Sequence, residues 1–158
     1  VRREIEQTLR YLTFEKARFG EDRIGVNVDI DEEVEDTLVP AFVIQPLVEN
    51  AVRHAMGDED PLHIDISVAP EGESMVEIQV KDDGVGMDEQ TAARLFCTQQ
   101  KAPRTDAPQG GGAGVAMHNI ADRIARFYGP RSSTQVISSP GAGTSVVLHL
   151  DLQKSILE

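Results

Sequence analysis

The chain has 158 residues, 40% of them hydrophobic, with 15 Lys and Arg against 27 Asp and Glu, a formal net charge of −12. That length suits one domain with its own core, and the acidic surface repels phosphate backbones, so no nucleic acid is expected as a partner. No apolar run reaches the roughly 18–20 residues of a membrane span. Val1-Arg2-Arg3-Glu4 is not the start of a signal peptide, and the single cysteine, Cys97, excludes an internal disulfide and fits a reducing compartment.

Ile5, Leu9, Leu12, Lys16 and Phe19 recur at helical spacing before Gly20, which predicts an amphipathic helix over 1–19 that is an appendage to the domain. Ile24, Val26, Val28 and Ile30 alternate as a strand, and the acidic stretch 29–36 holds the next turn. Pro40 precedes a predicted helix over 41–56. Two alternating strands follow, around 62–68 and 76–80, joined by a hairpin-like turn over 69–73. Asp88 is the expected N-cap of a short helix ending near Phe96. Residues 97–114 are polar and rich in Gly, Pro, Gln and Thr, and a loop of that length in a compact domain is usually functional. A helix is predicted over 115–128, stopped by Gly129-Pro130, and two last strands flank the turn Pro140-Gly141-Ala142-Gly143. Pairs of strands and helices, rather than strict alternation, predict an α+β fold. We expect a two-layer α/β sandwich with a mixed sheet of about five strands and helices packed on one face.

Three segments carry candidate chemistry. In Gln45-Pro46-Leu47-Val48-Glu49-Asn50-Ala51-Val52-Arg53-His54, helical spacing sets Glu49 toward Arg53 and Asn50 toward His54. An amide oxygen is a good ligand for Mg²⁺, which binds few protein groups and completes its shell with phosphates and water, and Arg53 or His54 could meet those phosphates. The plain alternative is a surface ion pair beside a capping Asn. In Asp82-Asp83-Gly84-Val85-Gly86-Met87 a strand ends in a carboxylate able to accept from an exocyclic amine such as adenine's, and the glycines let backbone pass close to a planar ligand. An ordinary Asp-Gly turn would look the same. In Gly110-Gly111-Gly112-Ala113-Gly114-Val115 a glycine-rich loop opens into a helix, which combines free N–H groups with the positive end of a helix dipole for anion binding. A flexible linker is the alternative.

The ordered set, extended by Gly141-Ala142-Gly143-Thr144, resembles the GHKL (Bergerat-type) ATPase superfamily of gyrase-type topoisomerases, heat-shock chaperones, histidine kinases and MutL-type repair proteins. Within it the chain is most similar to LytS-type sensor histidine kinases: Gln45 to His54 looks like their N box, Tyr11-Leu12 with Glu15 to Phe19 like the segment after their dimerisation helices, and Asn119 to Ile124 with Tyr128-Gly129 like the helix after their second glycine box. The resemblance implies an ATP-binding catalytic domain over 21–154 with a lid at about 97–114, and residues 1–20 as the end of a dimerisation helix. It implies ATP and Mg²⁺ as cofactors, Asn50 as metal ligand and Glu49 beside it as an activating carboxylate. Arg53 and His54 would lie near the phosphates, and Asp82 would take the adenine amine. Gly84, Gly86, Met87 and Thr144 would lie around the base, and Gly112, Gly114 and Val115 would wrap the phosphates. The implied activity is transfer of the γ-phosphoryl group to a histidine on an upstream dimerisation domain, in a homodimer that serves a response regulator. The chain would be the cytoplasmic domain of a membrane-anchored bacterial receptor.

Two departures qualify the resemblance. ATP-hydrolysing members of the superfamily carry a glutamate one helical turn before the metal-binding Asn, where this chain has Pro46. That argues against a chaperone- or topoisomerase-like motor and against an anti-sigma type serine kinase. Ala116 stands where the family often has glycine, which leaves a degenerate nucleotide-binding or dimerisation module as the alternative. Of the four histidines, His63 and His149 are expected on solvated sheet faces and His118 at a helix start. None has the setting of a phosphoacceptor, so this chain alone is not expected to phosphorylate itself.

Overall fold

The computed structural model describes residues 1–57, 59–96 and 112–154. Its elements are α1 (Arg2–Phe19), β1 (Ile24–Ile30), α2 (Gln45–Ala55), β2 (Leu62–Glu71), β3 (Met75–Asp82), α3 (Glu89–Arg94), α4 (Gly112–Tyr128), β4 (Ser133–Ser138) and β5 (Thr144–Asp151). The five strands form one sheet in the order β1-β2-β3-β5-β4. β1 runs parallel to β2 and every other pair is antiparallel, so the expected mixed sheet with its hairpins is present.

Strand periodicity sorts the two faces of the sheet. Ile64, Ile66, Val68, Val76, Ile78, Val80, Val146, Leu148 and Leu150 are buried on one face, against Leu47, Val48 and Ala51 of α2 and Ile120, Ile124 and Tyr128 of α4. The other face carries Asp65, Ser67, Glu77, Gln79, Lys81 and His149. Each fully buried aliphatic side chain contributes about 1.5–3 kcal/mol, which makes this single layer of helices on a half-solvated, mainly antiparallel sheet the stable solution.

Two expectations need correction. α1 is not an appendage, because Ile5, Thr8 and Leu12 are buried and Val1, Ile5 and Leu12 belong to the same core as the sheet. α2 starts at Gln45 rather than at 41. Phe42 adopts a left-handed conformation (φ 58°), which breaks any helix there, and the N–H groups of Phe42, Val43 and Ile44 donate to the carboxylate of Glu4 on α1 at 2.7, 3.0 and 3.2 Å. At the other end of the chain α4 begins at Gly112, earlier than predicted. Most of the expected lid, residues 97–111 with Cys97, lies outside the described residues.

Candidate functional site

Six polar side chains are buried among the described residues: Glu4, Thr8, Asn50, Asp82, Thr144 and Asp151. Three of them serve contacts within the scaffold. Glu4 caps the start of α2, Thr8 donates to the Glu4 carbonyl at 2.7 Å, and Asp151 faces Arg131 at 3.4 Å. The other three, Asn50, Asp82 and Thr144, line one cavity of about 360 Å³ together with Ala51, His54, Ala55, Gly86, Met87, Thr91 and Leu95. Burying an unpaired polar group costs several kcal/mol (roughly 2–7), and three buried polar groups around one hollow, with the Asn50 amide oxygen unpartnered among them, mark it as the candidate site.

The strand ends build the floor. Asp82 closes β3 and stands directly opposite Thr144, the first residue of β5. Asp82 Oδ1 accepts the Gly84 N–H at 3.0 Å. Burial pushes the Asp82 carboxyl above its ordinary value, opposed by backbone N–H donors from Gly84 and Thr144, with Asp83 adding to the rise. Thr144 Oγ1 lies 2.8 Å from Ser138 Oγ, which also donates to the Gly143 carbonyl at 2.8 Å and accepts the Met87 N–H at 2.9 Å. Ser138 therefore ties β4, β5 and the loop after β3 into one unit. Sequence reasoning missed it, because a serine at a strand end carries no distinguishing signal.

The glycines of this loop are explained by backbone approach. A Cβ on Gly84 would sit 2.3 Å from both Cβ and the carbonyl oxygen of Ala55, and one on Gly86 (φ 69°) would sit 2.0 Å from the Ser139 carbonyl oxygen. The loop is clamped between the end of α2, through Val85 N–H to Ala55 at 3.0 Å, and the β4–β5 turn, through Gly141 N–H to Val85 at 2.7 Å. Gly86 and Met87 line the cavity; Gly84 lies behind it, lining a hollow with Ala55, Asp83 and Gly141.

α2 forms the wall. Asn50 is only 7% exposed, and its Oδ1 has no hydrogen-bond partner among the described residues. A buried, unpartnered amide oxygen is costly unless a ligand completes it. His54, one turn on, lines the same cavity. Desolvation first, then the neighbouring Arg53 charge, lowers its pKa, which favours the neutral imidazole.

Glu49 and Arg53 are not brought to this cavity. They line a second cleft of about 700 Å³ with Tyr11, Glu15, Arg18, Phe19, Arg23, Val52, Met56 and Gly57. Successive helical residues project about 100° apart, so the adjacent pairs Glu49-Asn50 and Arg53-His54 are split between two faces. Glu49 accepts from Gln45 Nε2 at 2.8 Å, not from Arg53. Gly112, Gly114 and Val115 occupy the first turn of α4. His118 is paired with Asp122 at 3.3 Å. His63 is exposed against Asp83 at 3.1 Å, and His149 pairs with Glu71 at 2.7 Å.

Comparison with known proteins agrees with this architecture. Residues 35–154 match the family described as histidine kinase-, DNA gyrase B-, and HSP90-like ATPase. Sensor protein LytS of Bacillus anthracis is 33% identical over 144 residues, which are 90% of this chain and 23% of that protein. Sensor histidine kinase/phosphatase LytS of Staphylococcus aureus (strain Mu50) is 32% identical, again over 90% of this chain and 23% of the relative. The chain thus spans about a quarter of the length of the curated relatives it matches. The nucleotide-free catalytic domain of histidine kinase ThkA shares the fold with a TM-score of 0.64 at 18% identity, over 94% of this chain and 95% of that one. The histidine kinase domain of the blue-light activated kinase of Erythrobacter litoralis aligns with a TM-score of 0.60 at 19% identity, over 92% and 59%.

Proposed function

The chain belongs to the histidine kinase-, DNA gyrase B-, and HSP90-like ATPase family, and on that premise we propose that it binds Mg·ATP in the cavity between α2 and the ends of β3 and β5. The γ-phosphoryl group would pass from there to a histidine on an upstream dimerisation domain. The observation that carries this reading is the meeting of a buried carboxylate, Asp82, with a buried and unpartnered amide oxygen, that of Asn50, in one cavity. The carboxylate is an acceptor for the exocyclic amine of adenine, and the amide oxygen is a ligand for a hard cation.

Asp82 orients the base. Thr144 and Ser138 hold the hydroxyl edge beside it, Gly86 and Met87 form the wall, and Leu95 and Ala51 supply apolar surface for the ring. Magnesium fits the donor set: the Asn50 oxygen is neutral, hard and unpaired, and the remaining ligands would be phosphate and water. When bound, the metal neutralises charge on the phosphates undergoing transfer. His54, one turn from Asn50 and lining the same cavity, would hydrogen-bond the phosphates. The first turn of α4, with Gly112, Gly114 and Val115, would offer N–H groups and a positive dipole end to the phosphates. Pro46 leaves no carboxylate one turn before Asn50 to activate water, which favours transfer to a side chain over hydrolysis.

In the longer protein α1 would be the end of a dimerisation helix, residues 21–154 the catalytic domain, and the assembly a membrane-anchored homodimer with this domain in the cytoplasm and a response regulator as phosphoryl acceptor. Among the described residues no helix is long and apolar enough to cross a membrane. The direct test is calorimetric titration with ATP, with and without Mg²⁺, on wild type and Asn50→Ala. Saturable binding is expected, strengthened by Mg²⁺ in wild type, with the metal-dependent gain lost in Asn50→Ala. Equal weakening of the variant with and without Mg²⁺ removes Asn50 as a metal ligand. No binding at millimolar ATP indicates a non-catalytic module.

A further inference from the structure

α2 carries Asn50 and His54, yet its own sequence does not secure its start. The N-cap residue, Ile44, makes no side-chain cap, and Pro46 in the first turn supplies no N–H. What holds the start comes from elsewhere in the chain. Glu4 of α1, 4% exposed, accepts the N–H groups of Phe42, Val43 and Ile44 with its two carboxylate oxygens at 2.7, 3.0 and 3.2 Å. Arg123 of α4 donates from its guanidinium to the carbonyls of Ala41 and Phe42. Phe42, held in the left-handed region (φ 58°), is the hinge on which both grips converge.

A local serine or aspartate would satisfy a helix start more simply. A buried carboxylate is an expensive alternative, tolerated only when N–H donors and the helix dipole offset its desolvation. The arrangement adds something a local cap cannot: it fixes the position of α2 to α1. Glu4 is itself anchored, since the Thr8 hydroxyl donates to its carbonyl and Ile5 and Leu12 bury the same face of α1.

We propose that Glu4 is a positioning residue: by capping the start of α2 it holds Asn50 and His54 in register with Asp82, and it makes the helix preceding the domain a determinant of metal-dependent nucleotide binding. This rests on the proposed reading of the cavity as a Mg·ATP site. The cap acts on the metal end of the site, where Asn50 stands, more than on the adenine end, which the sheet holds independently through Asp82 and Thr144.

The experiment compares wild type, Glu4→Gln and Leu12→Ala by calorimetric ATP titration with and without Mg²⁺, at a temperature where circular dichroism shows all three folded. Glu4→Gln keeps the side chain's shape but leaves one acceptor oxygen and turns an amide N–H₂ toward backbone N–H donors. Leu12→Ala loosens the same helix from the core without touching the cap. Glu4→Gln is expected to lose affinity for Mg·ATP about tenfold, with metal-free ATP binding changed less than about twofold and the Leu12→Ala affinities unchanged in both conditions. If wild type binds and Glu4→Gln binds Mg·ATP equally well, Glu4 is only a structural cap and the proposal is overturned. The same holds if Leu12→Ala reproduces the metal-dependent loss. If wild type itself binds no ATP, the reading of the cavity has failed and the proposal falls with it.

Discussion

The two flanks of α2 make an instructive pair. One lines a cleft of about 700 Å³ with Glu49, Val52, Arg53 and Met56, facing Tyr11, Glu15, Arg18 and Arg23. The other lines a cavity of about 360 Å³ with Asn50, Ala51, His54 and Ala55, facing Asp82 and Thr144. The larger hollow has the greater number of charges, three arginines and two glutamates, but each of these residues is half-buried or exposed. The smaller has few polar groups, and three of them, Asn50, Asp82 and Thr144, are buried. Tyr11 shows the contrast within the larger cleft: partial burial, with the charges of Glu15 and Glu49, pushes its phenol up to about 12, so it stays neutral and inert. Size and charge count do not locate the chemistry. Desolvated acceptors without sufficient partners do, because the fold gives up stability to keep them.

That difference is sharpest at Asp82. Its folded-state pKa is raised, chiefly by burial, so between the unfolded and folded values the native state binds the proton more tightly and stability falls as pH rises. At neutral pH the ionised carboxylate is thus a net cost to the fold. Asp82→Asn, which keeps an acceptor for the Gly84 N–H, should raise Tm by about 2 °C while lowering ATP affinity by about 100-fold. Thermal melts and titrations on the same preparation check both signs. A variant that loses stability and keeps ATP binding would make Asp82 an ordinary structural carboxylate.

The legible and the illegible parts of the molecule divide by range. β1 and β3 were readable from alternation, and Asp88 was readable as the cap of α3, whose Thr91 N–H it accepts at 2.8 Å, because those signals are local. The start of α2 was not: the apolar run from Ala41 looks helical, and only a carboxylate 38 residues away and a left-handed Phe42 stop it. At the site, the motif residues Asn50, His54, Asp82, Gly86, Met87 and Thr144 do gather. The reason for Gly84 was misread, since its missing side chain makes room for Ala55 rather than for a base. Helical spacing groups Glu49 with Arg53 and Asn50 with His54, as found, whereas the resemblance sets all four around one nucleotide.

His54 tests the cavity side more gently. Desolvation lowers its pKa, with Arg53 adding to the effect, so in the free protein its charged form is disfavoured and its contribution to stability is lost as pH falls toward and below 6.5. An anionic triphosphate nearby reverses the sign and raises that pKa. Binding at about pH 6 should then take up a fraction of a proton more in wild type than in His54→Gln. The quantity is read from calorimetry in buffers of different ionisation enthalpy, with the proton exchange of ATP itself cancelling in the difference. Identical uptake by the two proteins would place the phosphates away from His54.

The smallest expected effect belongs to the other flank. In the double variant Glu49→Gln/Arg53→Gln, both side chains keep their length and lose their charge, and the Gln45 amide retains an acceptor at position 49. If the flanks are separate, the affinity for Mg·ATP should stay within about twofold of wild type, even though the two positions adjoin Asn50 and His54 in sequence. A loss of tenfold or more would mean that the long Arg53 side chain reaches around the helix to the phosphates once nucleotide is bound, and the two hollows would then be one site with α2 as its ridge. Unchanged binding combined with slower phosphoryl transfer in a longer chain that carries the acceptor histidine would give the cleft side a different part. It would then act on the approach of the acceptor histidine rather than on nucleotide binding.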